Sequence, residues 1–161
     1  MPEGEAASDP RDFATCVDRH YAGLVRRLTL VLHDGEEAKD VAQEAYLRAY
    51  RAWDRFDGAD VRAWLHTIAL RLAFNALRRR GLWSRFVSSS KTDASWVPPE
   101  RLPLWEALSS LRPRVRAALL LNVLDGYTQA EIARMLDVPP GTVASWIASG
   151  KARLREELSD G

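Results

Sequence analysis

Cysteine is almost missing from this chain. Its 161 residues hold one, Cys16, so no intrachain disulfide and no cysteine-cluster metal site can form. That suits a reducing compartment. Histidine occurs only three times, with no partner at ligand spacing, so no metal is expected. No apolar run approaches the length of a membrane span, and the acidic start (Glu3, Glu5, Asp9) is unlike a secretory signal. The expectation is a cytoplasmic protein without membrane insertion. Long β-branched alternation is absent, and glycine and proline fall at boundaries, which leaves an all-α fold. The length excludes a large barrel or a doubly wound enzyme with a second domain. No carboxylate pair, nucleophile–base set or phosphate loop stands in a supporting context, so neither catalysis nor a cofactor is expected.

Charge is nearly balanced at +1, but unevenly placed. Residues 1–10 are acidic and are expected to form a disordered tail. Residues 11–91 hold fifteen Lys/Arg against ten Asp/Glu, whereas residues 92–161 hold eight against nine. Basic character peaks at Arg78-Arg79-Arg80, Arg85 and Lys91, with no acid among them. Such a stretch suits polyanion contact. A solvated helix end, with cations favoured by the macrodipole, explains it equally well.

Periodicity predicts a first helix from near Arg11 to Leu32, then a break at His33-Asp34-Gly35. A second helix, N-capped by Asp34, is expected to reach about Arg55, with a buried stripe of Ala38, Val41, Ala42, Ala45, Ala49 and Trp53. A third is expected from about Asp60 to Arg80. Trp64, Leu65, Ile68, Ala69, Leu72, Ala73, Ala76 and Leu77 form its apolar face; Arg62, His66, Arg71, Asn75, Arg78 and Arg79 lie on the other side. Together these make a first domain over residues 11–80. Residues 81–103, with three consecutive serines, Pro98-Pro99 and Pro103, read as a flexible linker. Trp83, Phe86 and Trp96 inside it are either docked or scattered exposed aromatics.

The second domain covers residues 104–161. Pro113 opens a helix whose apolar run spans 117–124 and ends at Asp125-Gly126. Thr128-Gln129-Ala130-Glu131 is a capping box for a short helix carrying Ile132, Ala133 and Leu136. A turn over 137–141 leads to a last helix from about Thr142 to Leu158, with Val143, Ile147, Leu154 and Leu158 available for the core. A capped helix, a short turn and a second helix that starts polar make a helix-turn-helix. An ordinary helical hairpin would read the same way.

These residues resemble a known family. The run 40–51 (Asp-Val-Ala-Gln-Glu-Ala-Tyr-Leu-Arg-Ala-Tyr-Arg), Asp54-Arg55-Phe56-Asp57, Ala63-Trp64-Leu65, Ile68-Ala69 and the Arg78-Arg79-Arg80 run are similar to region 2 of bacterial sigma factors. Residues 108–111, Arg116, Gly126, Ala130-Glu131-Ile132-Ala133, Val138-Pro139, Gly141-Thr142-Val143 and Ala152-Arg153-Leu154 are similar to region 4. Two such regions in this order, with a short linker, resemble the extracytoplasmic-function (ECF) sigma factors. The resemblance implies binding to core RNA polymerase (β′ clamp helices and β flap) and to promoter DNA, with an anti-sigma factor as a further partner. Polymerase docking would fall on Asp40, Gln43, Glu44, Leu47, Arg48 and Arg51, which share one helix face. That face could equally be a solvated one with a Glu44–Arg48 pair. Minus-ten DNA would meet Arg62, Trp64, Arg71, Asn75, Arg78, Arg79 and Arg80, with Trp64 read as core first. His66 is expected on the surface.

Minus-thirty-five DNA would meet Arg112, Arg116, Thr128, Gln129, Thr142, Val143, Ser145, Trp146, Ser149, Lys151 and Arg153. Free backbone donors at Thr142 and Val143 would add to this set. Two departures stand out. After Ile68-Ala69 the family usually has Arg-Asn, and this chain has Leu70-Arg71. In the recognition helix, Ala144, Trp146 and Ser149 stand at positions that are commonly basic. Each lost phosphate contact flattens the salt dependence of binding, and a lost bidentate arginine removes about 1–3 kcal/mol of base discrimination. Two expectations follow: a shape-led reading of an unusual element, or use of Trp146 as a protein-binding anchor. Simple packing of Trp146 is the plain alternative. A sigma-like decoy that binds polymerase or an anti-sigma factor without productive promoter reading is the competing function, and a dimeric helix-turn-helix repressor ranks behind it.

Overall fold

A computed structural model describes residues 10–84 and 97–160. The order is α1 (Pro10–Leu32), α2 (Gly35–Arg51), a 3-10 turn (Trp53–Arg55), α3 (Val61–Ser84), a second 3-10 turn (Pro99–Arg101), α4 (Leu102–Ser109), α5 (Pro113–Val123), α6 (Gln129–Leu136) and α7 (Pro140–Ser159). The described residues contain no strand. The acidic start and the aromatic side chains at 83, 86 and 96 lie outside the description.

The α1–α2 corner is built by local chemistry. His33 takes a left-handed conformation (φ 58°) and closes α1 through its N–H to the Thr29 carbonyl at 2.9 Å. Asp34 then caps α2, accepting from the N–H groups of Glu36 and Glu37 at 3.0 Å each. The stripe of α2, Val41 included, is buried as its periodicity predicts, and Tyr46 joins it. Small side chains there let α1 and α3 come close; Leu24, Leu28 and Leu32 of α1 and Leu65, Ala69 and Ala73 of α3 complete the core.

Three boundaries differ from the sequence pattern. α2 ends at Arg51, not near Arg55, because Ala52 shares its N–H between the carbonyls of Arg48 and Ala49. The chain then tightens into the 3-10 turn that buries Trp53. α3 runs on to Ser84 rather than stopping at Arg80. Gly81 alone costs a helix only about 1 kcal/mol, too little to end it. α7 starts at Pro140, two residues early, since proline is preorganised for a first helical turn.

In α4–α7 the capping box forms: Thr128 Oγ1 accepts from the Glu131 N–H at 3.2 Å, and Glu131 Oε2 accepts from the Thr128 N–H at 2.7 Å. α6 ends at Asp137 in the left-handed region (φ 55°). Val143 and Ile147 are buried and Leu154 is half-buried, but Leu158, expected in the core, is 46% exposed because α7 extends past its last packing partner. Gly150 is buried where α5 crosses α7. A Cβ there would meet Val115 Cγ1 at 3.2 Å and Leu119 Cδ2 at 3.3 Å, so this glycine exists for close approach.

The two halves share a core. Val31 of α1 and Leu70 of α3 are fully buried in the same apolar cluster as Leu108, Leu119, Ile132 and Val143. Phe74 packs against that cluster too. α3 is therefore covered on two sides, by α1–α2 and by the helix-turn-helix half.

Candidate nucleic-acid interface

The proposed polymerase face of α2 is open. Asp40, Gln43, Leu47, Arg48 and Arg51 are exposed and Glu44 is half-buried. Glu44 and Arg48 pair at 2.8 Å, the i,i+4 contact that their spacing predicts. Two large apolar groups accompany them: Leu47 is 52% exposed and Tyr50 57%. Tyr50 was missed by the pattern, although it sits three residues from Leu47 on a neighbouring face. A polar ridge with two uncovered apolar side chains has the composition of a docking surface.

The α3 set divides. Arg71, Asn75, Arg78 and Arg79 are exposed, and Arg78 Nη2 donates to Asn75 Oδ1 at 2.9 Å. These form a short basic track. Trp64 is half-buried, stacked on Phe56 (4.7 Å between centroids) and tilted against Trp53, so its core role holds while one side stays open. Arg80 is tied to the Glu37 and Asp34 carboxylates and to the Leu32 carbonyl; its charge serves the α1–α2 corner. Arg62 is tied across the seam to Asp125: its Nη2 donates to Oδ1 at 2.6 Å, and its guanidinium lies over the Tyr127 ring. His66 is not on the surface. It is 5% exposed and hydrogen-bonded through Nδ1 to the Tyr127 hydroxyl at 3.1 Å. Burial chiefly, then Arg62, Arg27 and His20 nearby, pushes its pKa down to about 4, against the opposing pull of Asp125. Leu70, where the family usually has arginine, is buried in the seam.

The helix-turn-helix set is thinner than the sequence suggests. Arg116 is 4% exposed and contacts no DNA-facing surface. Its guanidinium donates to the carbonyls of Val31 (Nε, 3.1 Å, and Nη2), Leu108 (3.0 Å) and Leu111 (3.2 Å). It binds carbonyls at the C-terminal ends of α1 and α4, where a cation also meets the negative ends of the dipoles. Val143 has a fully buried side chain, and the N–H groups of Thr142 and Val143 both donate to the Pro139 carbonyl, at 3.0 and 3.4 Å. Since α7 starts at Pro140, those donors belong to its first turn and are not free for phosphate. Thr128 is spent on its cap. Arg153 pairs with Glu156 and Glu157, and Ser149 donates to the Trp146 carbonyl. Gln129, Ser145, Lys151 and Arg112 remain exposed, outside the ion pairs and side-chain bonds described above. Trp146 is half-buried and lines a cavity of about 490 Å³ with Phe74, Arg78 and Arg114 of the seam.

Arg27, Asp125 and Tyr127 were not among the site residues that the sequence offered, because each acts across the seam. No group of three His, Cys, Asp or Glu is placed to hold a metal ion among the described residues.

Comparison with known proteins agrees with this architecture. The family described as Sigma-70 region 2 matches residues 16–82, and that described as Sigma-70, region 4 matches residues 101–154. The ECF RNA polymerase sigma-E factor of Escherichia coli is 34% identical over 161 residues, covering 86% of this chain and 82% of that protein. The RNA polymerase sigma-H factor of Pseudomonas aeruginosa is 30% identical, covering 93% and 88%. The ECF sigma factor SigE of Mycolicibacterium smegmatis is 32% identical over 88% of this chain, which spans only 60% of that protein's length. Among solved structures, the sigma factor RpoE of Bartonella quintana, in complex with the anti-sigma factor NepR, shares the fold with a TM-score of 0.79 at 22% identity, covering 92% of this chain and 98% of that one. CnrH, in complex with the cytosolic domain of CnrY, does so at 0.75 and 24%, covering 96% and 92%. With both halves matched in order and relatives similar along most of their length, the chain belongs to the sigma-70 family, as an ECF-type sigma factor.

Proposed function

We infer that this chain binds core RNA polymerase and directs promoter recognition and transcription initiation, acting in the cytoplasm as a non-catalytic factor. The observation that carries the reading is the open face of α2, where Leu47 and Tyr50 stand uncovered among Asp40, Gln43, Glu44, Arg48 and Arg51. A solvated helix has no need of two such apolar groups side by side. Docking on the β′ clamp helices would cover them. Minus-ten DNA then falls to Arg71, Asn75, Arg78 and Arg79, with Trp64 as the nearby ring. The helix-turn-helix half, placed by the β flap, reads the minus-thirty-five element through a short set: Gln129, Ser145, Trp146, Lys151 and Arg112. Few cations there mean few phosphate contacts, so shape and register carry more of the selectivity than base-edge hydrogen bonds do. An anti-sigma factor is the further partner that this family reading implies.

The test is run-off transcription from a genomic fragment library with core polymerase, with and without the protein. Protein-dependent transcripts sharing aligned upstream elements support the reading. The thinned face of α7 favours one rival, a decoy that binds polymerase without reading promoters. Co-purification with core enzyme and no transcript would select that rival. Absence of both would remove the sigma reading.

A further inference from the structure

The seam between the halves contains an ion cluster out of balance. The Asp125 carboxylate is 5% exposed. Its Oδ2 accepts from Arg27 Nε at 2.6 Å, and its Oδ1 from Arg27 Nη2 at 2.9 Å and Arg62 Nη2 at 2.6 Å. Two guanidinium groups thus hold one carboxylate. Neither arginine has another ion pair among the described residues. A cavity of about 440 Å³ opens beside them, lined also by Arg19, Arg26 and His20, and Asp125 is the one acid among its lining residues. Asp60, close by, is engaged as the cap of α3, accepting from the Ala63 N–H. The first half therefore presents a cationic socket, and the second half inserts a single acid into it.

What the second half covers is equally informative. His66, Leu70 and Phe74 recur every four residues along α3 and face the seam, where they meet Tyr127, the shared core and Arg114. With the second half removed, α3 would show a stripe with two rings, at His66 and Phe74, with Arg62 one turn before it and Arg78 one turn after it. Rings for bases between cations for phosphates is the pattern of a single-strand binding surface. A fork of two guanidinium groups that fits a carboxylate also fits a phosphate, since both offer oxygens to paired N–H donors.

We propose that Arg27 and Arg62 form a phosphate-binding fork for the displaced promoter strand, and that Asp125 is its internal occupant while the chain is closed. This rests on the sigma-factor reading, since only an opened promoter supplies that strand. It adds Arg27 to the DNA-binding set and gives Asp125 a regulatory role. Tethered in the same chain, Asp125 competes at a high effective concentration. Free protein then holds its strand-binding surface shut, and a partner that draws the halves apart vacates the fork.

The experiment uses the full chain and a fluorescein-labelled single-stranded oligodeoxynucleotide of mixed sequence, with binding followed by anisotropy over a salt series. D125N keeps the shape of the residue and removes its charge. It should bind the oligonucleotide about tenfold or more tighter than the unmodified chain. Its salt slope should steepen by about 0.7 for each phosphate contact regained. Adding R27Q to D125N should return about 0.7 of that slope and weaken binding. Circular dichroism checks the fold, and Asp125→Ser serves the same purpose should D125N fail that check. Equal binding by D125N and the unmodified chain would overturn the proposal. So would identical slopes for D125N and D125N/R27Q, which would leave the cluster a plain interdomain tie. If those slopes coincide while run-off transcription proceeds, only the fork is lost. If no variant binds the oligonucleotide and transcription also fails, the sigma reading goes with it.

Discussion

Replacing Arg116 should unsettle the fold and leave DNA contacts alone. Its guanidinium has no carboxylate partner among the described residues, and burial, with Arg80 adding repulsion, pulls its pKa down to about 10. What holds it are three carbonyls: Val31 at the end of α1, Leu108 in α4 and Leu111 just beyond. Each hydrogen bond from a charged donor contributes about 1.5–3 kcal/mol net, and desolvation of the cation offsets part of this. Truncation to Ala would strand the Val31 and Leu111 carbonyls, while Leu108 keeps the Leu111 N–H at 3.2 Å, with an expected loss of about 3–5 kcal/mol, as for other broken buried ionic contacts. At about 2–4 °C per kcal/mol for a chain of this size, Tm should fall by about 10 °C. Arg116→Lys should recover less than half, because one ammonium cannot reach three carbonyls set around a planar fork. Calorimetry or circular dichroism on Arg116→Ala and Arg116→Lys gives the answer. A shift of less than about 3 °C for Ala would refute the assignment. A second readout separates the roles. If Arg116 touched a phosphate, its loss would lower the salt slope of duplex promoter binding by about 0.9. Two of the three carbonyls lie in its own half, so the slope should stay unchanged even when the halves part.

Further outcomes follow from other sites. His66 is buried with a pKa near 4, so the unfolded chain takes up a proton that the folded chain refuses between pH 6.5 and 4. Its stabilising contribution is complete above about pH 6.5 and falls by about 1.4 kcal/mol per unit as pH drops. His33, also lowered to about 4 by burial and stacked on Trp105, acts in the same direction. Urea midpoints at pH 7 and pH 5 should differ accordingly, and His66→Gln should reduce the difference; pH-independent midpoints would contradict this. Gly150→Val should cost about 1–3 kcal/mol through overpacking against Val115 and Leu119. Gly150→Ala should stay within about 1 kcal/mol, because better helix propensity offsets the 3.2–3.3 Å contacts; denaturation curves measure both. Leu47→Asp should weaken core polymerase binding about tenfold or more while leaving Tm within about 2 °C, since the side chain is uncovered in the free chain. Unaltered binding would remove α2 from the docking surface.

Much of this protein could be read along the chain, because the signals are local. The alanine stripe of α2 reports a period of 3.6 directly, and its residues are buried as expected. Asp34 and the Thr128–Glu131 box cap helices through groups two or three residues away. The exposed ridge at Asp40, Leu47 and Arg51 follows from the same period. Boundaries were less legible: α3 passed Gly81, and α7 began at Pro140, since propensities of about 1 kcal/mol yield to whatever packing is available.

Tertiary structure decided which cations are free. Arg116, Arg62 and Arg80 look alike in the sequence, as basic residues on polar faces. One satisfies carbonyls of a neighbouring and a distant helix end, one binds Asp125 of the other half, and one pairs with Glu37. Arg116's partner in α1 and Arg62's partner Asp125 lie 85 and 63 positions away, beyond any helical period. His66 was likewise assigned to a surface that a second domain covers. Sequence alone determined the helices, their caps and the family to which they belong, because those depend on neighbours within a turn. The seam between the halves, and with it the difference between a charge available to DNA and one already occupied, depends on long-range contacts that no local pattern encodes.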